Sequence, residues 1–232
     1  SVKDENSVKK EKDLATQTNR EGHMQKIAIF GGTFNPPHMG HLRLVKSFEQ
    51  QNGFDKILII PTYTPPHKNS DQLASGFDRL QMCLLAFDAP NYEISDIEIK
   101  RGGKSYTSDT LKQLKEIYKD TSFHLIIGSD MFLTFHEWKN PQEIFDMCTI
   151  CASVRDDDKT LEDLQKYAKE YFPNQADKLK IMLCDFEPLE VSSTQLRQML
   201  ANGQDVSHLV PKKVVEYINS RGLYNENNGA KY

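Results

Sequence analysis

The sequence lacks both of the common phosphate-binding signatures. No GxGxxG follows a strand-like run and no GxxxxGK[ST] occurs anywhere, which argues against a dinucleotide oxidoreductase and against a P-loop enzyme. No stretch of 18 apolar residues exists and the N-terminus has no signal-peptide apolar region, so a cytoplasmic protein with no membrane partner is expected. Basic charge is not in excess either. The 29 Lys and Arg against 33 Asp and Glu leave a formal charge of -4, which supplies no global basic field for nucleic acid. The four cysteines, Cys83, Cys148, Cys151 and Cys184, fall in apolar segments rather than in turn clusters. Cys148-Thr-Ile-Cys151 has CxxC spacing, but no second CxxC or paired histidines complete a zinc site, so core thiols are expected and no metal site.

What remains is a chain of 232 residues, enough for one large α/β domain. Residues 1–23 carry five basic and five acidic residues against four apolar ones, Val2, Val8, Leu14 and Ala15, too few to bury a core. They read as a disordered extension, residues 225–232 as a polar tail, and residues 24–224 as the domain between. Within it strand-like and helix-like patterns alternate, the logic of crossover units on a parallel sheet. Strands are expected at Ile27–Phe30, Ile57–Ile60, Tyr92–Ile99, Phe123–Ile127, Thr149–Val154 and Ile181–Cys184. Helical spacing marks the stretches around Leu42–Phe48, Phe77–Phe87, Leu111–Tyr118 and Leu196–Leu200. A doubly wound sheet of this kind places ligands outside the carboxyl ends of its strands.

The first strand runs into Gly31-Gly-Thr-Phe-Asn-Pro-Pro-His-Met-Gly-His41. Gly31 and Gly32 remove side chains where the backbone is expected to turn and approach a ligand. A helix is expected from near Gly40 to before Gly53, and its start offers free amides to an anion. His38 and His41 lie one turn apart across that start and can face the same phosphate; the alternative is a turn with two ordinary surface histidines. After the second strand, Pro65-Pro-His67-Lys68 can aim positive charge at a polyphosphate or be a solvated loop. Gly102-Gly-Lys-Ser-Tyr-Thr-Ser-Asp109 precedes a helix that Ser105, Thr107 or Ser108 can cap. In Gly128-Ser-Asp130, Gly128 permits close backbone approach, and Asp130 can accept ribose hydrogen bonds or cap the next helix. Trp138, the only tryptophan, can pack in the core or stack on a ligand. Ser192-Ser193-Thr194 can cap the helix that carries Arg197 and ends before Gly203, and the same hydroxyls and amides form an anion site.

The first of these runs resembles the GG[ST]FNPxHxGH pattern of the HxGH nucleotidyltransferases, in particular bacterial nicotinate mononucleotide adenylyltransferases. The PPHK, SYT, GxDxxxxFxxWK and [IV]SSTx[IL]R segments of that family are matched in order, from Met24 to about Tyr224. Pro37 stands where the family often has Ile or Val, which leaves both histidines in register. The resemblance implies a doubly wound, Rossmann-like α/β fold with a small C-terminal helical subregion. It also implies transfer of the adenylyl group of ATP to nicotinate mononucleotide, giving nicotinate adenine dinucleotide and pyrophosphate.

By the same resemblance, His41 stabilises the α-phosphate, His38 the adjacent phosphates, and Arg197 with Ser192, Ser193 and Thr194 the departing pyrophosphate. Gly31, Gly32, Thr33, Phe34, Lys68, Gly128 and Asp130 complete the ATP site. Asn35, Tyr106, Thr107 and Trp138 form the acceptor site, with the Tyr106 and Thr107 amides on the nicotinate carboxylate and Trp138 on the pyridine ring. Mg2+ enters on the oxygens of ATP. Small-molecule substrates are therefore the expected partners, and a homo-oligomer stays open. Two other readings are a different HxGH enzyme, such as phosphopantetheine adenylyltransferase, and a nucleotide sensor that binds ATP without chemistry.

Overall fold

The computed structural model describes residues 24–63, 72–154, 160–183, 189 and 191–225. The expectations for residues 1–23 and 226–232, and those for His67, Lys68 and Cys184, lie outside the described residues. Six strands, β1 (Gln25–Gly32), β2 (Lys56–Pro61), β3 (Tyr92–Ile94), β4 (Thr121–Gly128), β5 (Cys148–Val154) and β6 (Leu179–Leu183), form one sheet in the order β3-β2-β1-β4-β5-β6. Every pairing is parallel. Its helices are α1 (Met39–Asn52), α2 (Gly76–Ala86), α3 (Ile97–Arg101), α4 (Thr107–Ile117), α5 (Ser129–Phe132), α6 (Pro141–Met147), α7 (Leu161–Tyr171), α8 (Ser193–Ala201) and α9 (Lys212–Arg221).

The unbroken apolar strands follow from burial on both faces. Ala28 and Phe30 of β1, with Ile57 and Ile59 of β2, point to a core completed by Leu44, Val45 and Phe48 of α1, Met82 of α2, Leu196 of α8, and Val214 and Ile218 of α9. Ile27, Ile29, Leu58 and Ile60 point the other way, onto Leu111 and Leu114 of α4, Phe145 of α6 and Leu164 of α7. Each fully buried side chain of this size contributes about 1.5–3 kcal/mol before entropy is counted. Strand order reverses between β2-β1 and β4-β5, so the carboxyl ends of β1 and β4 flank the switch point where such sheets hold ligands.

One expected strand is corrected. Pairing of Tyr92–Ile94 with β2 ends where the Ser95 amide reaches the Ile59 carbonyl at 2.8 Å, and the chain then turns into α3. The alternation over Tyr92–Ile99 suggested one extended run; in the helix that replaces its second half, Glu98 turns inward and is 6% exposed. Cys83, Cys148 and Cys151 are buried, as expected of core thiols. Burial, the leading cause at both positions, pushes the Cys148 and Cys151 thiols up to about 12. Such thiols are unreactive near neutral pH.

Candidate active site

The chain reversal after β1 is not made by the glycines. Gly31 and Gly32 remain in the strand, and Phe34, with φ 50, takes the left-handed turn. A left-handed non-glycine residue costs about 1–3 kcal/mol, offset here by burial of the ring against Phe30 and Phe87, 5.5 and 5.7 Å away between centroids. Gly32 makes room for it, since a Cβ there would stand 3.1 Å from the Phe34 ring. The Phe34 ring is thereby committed to the core and to His41, 5.0 Å away, leaving its main chain for any nucleotide contact.

His38 is the N-cap of α1, and Gly53 closes the helix at φ 59, as its position in the sequence suggested. The cap is reciprocal. His38 Nδ1 accepts the Gly40 amide at 3.0 Å, and His41 Nδ1 accepts the His38 amide at 3.0 Å. A ring nitrogen that accepts carries no hydrogen, so each neutral imidazole holds its hydrogen on Nε2. The ring centroids are 3.8 Å apart with 33° between planes, which puts two Nε2 donors of fixed tautomer side by side at a helix start. Local backbone chemistry orients both rings.

Asn35 and Arg197 are drawn into the same corner. The Asn35 side chain donates to Gln72 O and accepts from the Ala74 amide and the Tyr224 hydroxyl at 2.9, 3.0 and 2.6 Å. Asn35, expected to touch the acceptor, is a buried tie whose oxygen already receives two donors. Arg197 donates to Asn35 O at 3.0 Å, Gln72 Oε1 at 3.4 Å and Thr194 Oγ1 at 3.3 Å, which brings the last motif against the first. Ser192 caps α8 in a reciprocal box with Gln195, as its position predicted, so the Gln195 amide is taken by the cap.

Arg79 was invisible to sequence reasoning. It is 1% exposed, and its guanidinium donates to Ala74 O at 2.9 Å, Thr33 O at 3.0 Å, Thr62 O at 2.5 Å and Tyr63 O at 3.1 Å. One fork thus ties the turns after β1 and β2 together, and the Thr62 amide adds a bond to Gly32 O at 2.9 Å. An arginine in a helix ordinarily reads as solvated, so only tertiary contact discloses this one.

At the other side of the switch point, the start of α4 has Tyr106 as N-cap with no side-chain capping bond. The capping expected from Ser105, Thr107 or Ser108 is not made: Ser105 instead accepts the Tyr63 amide at 3.1 Å, and Ser108 Oγ is buried without a partner among the described residues. Asp130 lies exposed in the first turn of α5 and makes no cap either. Packing within the chain does not require glycine at Gly128, where a Cβ would meet nothing nearer than Leu44 Cδ2 at 4.0 Å.

Trp138 is half-buried on Phe135, 4.9 Å between centroids, and its indole donates to Thr134 Oγ1 at 3.3 Å. Its neighbour Lys139 lies 4.6 Å over the Tyr106 ring and pairs with Asp109 at 3.6 Å. Two motifs far apart in sequence, SYT and FHEWK, are therefore adjacent in space.

The family model described as cytidylyltransferase-like matches residues 29–199. A Fusobacterium nucleatum protein named "Probable nicotinate-nucleotide adenylyltransferase" is 40% identical over 195 residues, 83% of this chain and 96% of its own. One of the same name from Lachnoclostridium phytofermentans is 36% identical over 202 residues, 87% of this chain and all of its own length. The fold matches Plasmodium falciparum nicotinic acid mononucleotide adenylyltransferase complexed with NaAD at TM-score 0.69 and 20% identity, over 86% of this chain and 97% of that one. With His38, His41, Arg197 and the start of α4 gathered at the carboxyl ends of one parallel sheet, the chain belongs to the nicotinate-nucleotide adenylyltransferase family of nucleotidyltransferases.

Proposed function

We propose that this protein transfers the adenylyl group of ATP to nicotinate mononucleotide, forming nicotinate adenine dinucleotide and pyrophosphate. The observation that carries the reading is the reciprocal cap, which fixes both imidazoles at the start of α1, beyond the carboxyl end of β1, with Nδ1 accepting and the hydrogen on Nε2. An oxygen of the acceptor's 5′-phosphate attacks the α-phosphorus of ATP in line. The new P–O–P bond forms as the bond from Pα to the β-phosphate oxygen breaks, and the electron pair leaves with pyrophosphate. No protein nucleophile is required, so catalysis is positioning plus charge stabilisation. His41 stabilises charge on the α-phosphate, His38 holds the adjacent phosphates, and Arg197 with Ser192 to Thr194 receives the pyrophosphate.

The uncapped amides at the start of α4 suit a carboxylate, and Trp138 beside them offers a ring face for the pyridine. The free amides expected at the start of α1 are not there, since those of Met39, Gly40, His41 and Leu42 are spent on Leu209 O, His38 Nδ1 and His38 O; the imidazole N–H donors that remain suit an anion rather than a cation. Mg2+ would accordingly travel on the ATP oxygens, neutralising charge on the polyphosphate. The cytoplasm is the proposed place of work. The test is pyrophosphate release with ATP plus nicotinate mononucleotide or nicotinamide mononucleotide: release dependent on the acid acceptor supports the reading, and release independent of any acceptor would overturn it.

A further inference from the structure

Behind the acceptor loop lies a buried carboxylate that the proposed reaction leaves unused. Glu98 of α3 accepts from Thr110 of α4, Oγ1 to Oε2 at 3.3 Å, and from the Ser105 hydroxyl. These two hydroxyls bracket Tyr106 and Thr107. Thr110 Oγ1 has one hydrogen and two acceptors at equal distance, Glu98 Oε2 and the Tyr106 carbonyl, both at 3.3 Å, while Arg101 Nη2 donates to its oxygen at 3.0 Å. An ionised Glu98 is the stronger acceptor and holds that hydrogen. A protonated Glu98 becomes a donor itself and releases the hydrogen to Tyr106.

We infer that Glu98 is a positioning residue for acceptor binding, its charge relayed through Thr110 to the Tyr106 main chain and so setting the affinity for an acceptor that bears a carboxylate. The inference rests on the acceptor site proposed above. An ionised Glu98 puts negative charge behind a cradle meant for a second carboxylate, so the acid acceptor binds more weakly when Glu98 is charged. By reciprocity, its binding draws a proton onto Glu98.

Burial pushes Glu98 up to about 7, against the opposing pull of Arg101 and of the Thr110 and Ser105 hydroxyls. The switch therefore falls near neutral pH. Of the other charged groups nearby among the described residues, Asp109 pairs with Lys139 at 3.6 Å across the acceptor loop, Lys100 pairs with Asp96 at 3.3 Å on α3, and Lys104 lies exposed on the loop itself beside Ser105. From the β2 side, among the described residues, the loop receives the neutral Tyr63 amide through Ser105.

The test is the KM for nicotinate mononucleotide from pH 6 to 8.5 in the wild type and in Glu98→Gln, whose amide keeps the shape without the charge. We expect the wild-type KM to rise roughly 5- to 10-fold more across this range than that of Glu98→Gln, the scale of a partly screened like charge. The KM for ATP should follow one pH profile in both proteins. Nicotinamide mononucleotide, which has the same 5′-phosphate and no carboxylate, should show no difference between them. Parallel profiles for the acid acceptor would overturn the inference. If Glu98→Gln does not fold, Thr110→Val breaks the relay in its place and should flatten the profile; a profile matching wild type would overturn it equally. Failure of the wild type to use nicotinate mononucleotide at any pH would instead overturn the functional reading, and this inference with it.

Discussion

A single imidazole here does two separable jobs. His38 Nδ1 caps α1, which leaves the Nε2 hydrogen as the donor for the phosphate role we propose. His38→Asn retains an N-cap acceptor and should keep the melting temperature close to wild type, whereas His38→Ala should cost about 1 kcal/mol of stability. Both should lower turnover by roughly 100-fold or more, about 2.7 kcal/mol of transition-state stabilisation. An Asn variant with normal turnover would remove the histidine from the mechanism.

Two other buried residues titrate with opposite sign. Burial, helped by Lys180, Lys26 and Lys178, holds His124 down to about 4 from 6.5. Between those values the unfolded chain binds a proton that the folded one does not, so this contribution is present above pH 6.5 and lost as pH falls towards 4. Glu98, raised from 4.5 to about 7, behaves in reverse: the folded chain keeps the proton and stability is lost as pH rises through that window. Glu98→Gln should therefore gain up to about 3 kcal/mol relative to wild type at pH 8 and little at pH 4.5, measured by denaturant unfolding. A gain independent of pH would contradict the assignment.

Among the elements, the turns after β1 and β2 depend on α2. Arg79 spends its fork on four main-chain carbonyls, and lysine has neither the plane nor the reach to replace it. Arg79→Lys should lower stability by about 2–4 kcal/mol, the scale for buried acceptors left unpaired, and should lower kcat/KM for ATP in the protein that remains folded. Calorimetry and steady-state kinetics on the same preparation check both. α3 carries the corresponding lesson about legibility. Alternating isoleucines look extended at Tyr92–Ile99, yet the ladder stops after Ile94 and a short helix turns Glu98 inward. Five residues hold too little periodicity to distinguish the two, whereas along the 14 residues of α1 the spacing of Leu42, Val45 and Phe48 and the Gly53 beyond them marked the helix, with Leu44 rather than Leu42 fully buried.

Across the whole molecule, the sheet divides the labour between its halves. The reciprocal cap follows β1, while Trp138 and the start of α4 belong to the opposite core. Trp138→Ala should accordingly weaken nicotinate mononucleotide binding by roughly 1–3 kcal/mol, the range for bases stacked on aromatics, with a smaller effect on ATP. Equal weakening of both ligands, read by calorimetric titration, would count against it. The C-terminal segment closes on α2 and the turn after β1: Tyr217 and Arg221 of α9 bind Asp78 at 2.6 and 3.0 Å, and Tyr224 reaches Asn35.

The sequence alone determined the parallel α/β architecture, because strands buried on both faces must be continuously apolar and crossover helices must be periodic. It also determined the order of the site segments, because turns, caps and hydroxyl clusters are local in their chemistry. Tertiary structure decided which atoms those segments spend on one another. Asn35 became a tie, Phe34 a core residue in the left-handed turn, Arg79 a clasp and Glu98 a buried acid. Each of these has at least one partner 12 or more residues away along the chain, up to the 189 that separate Asn35 from Tyr224, and contacts across such separations leave no periodic trace in the sequence.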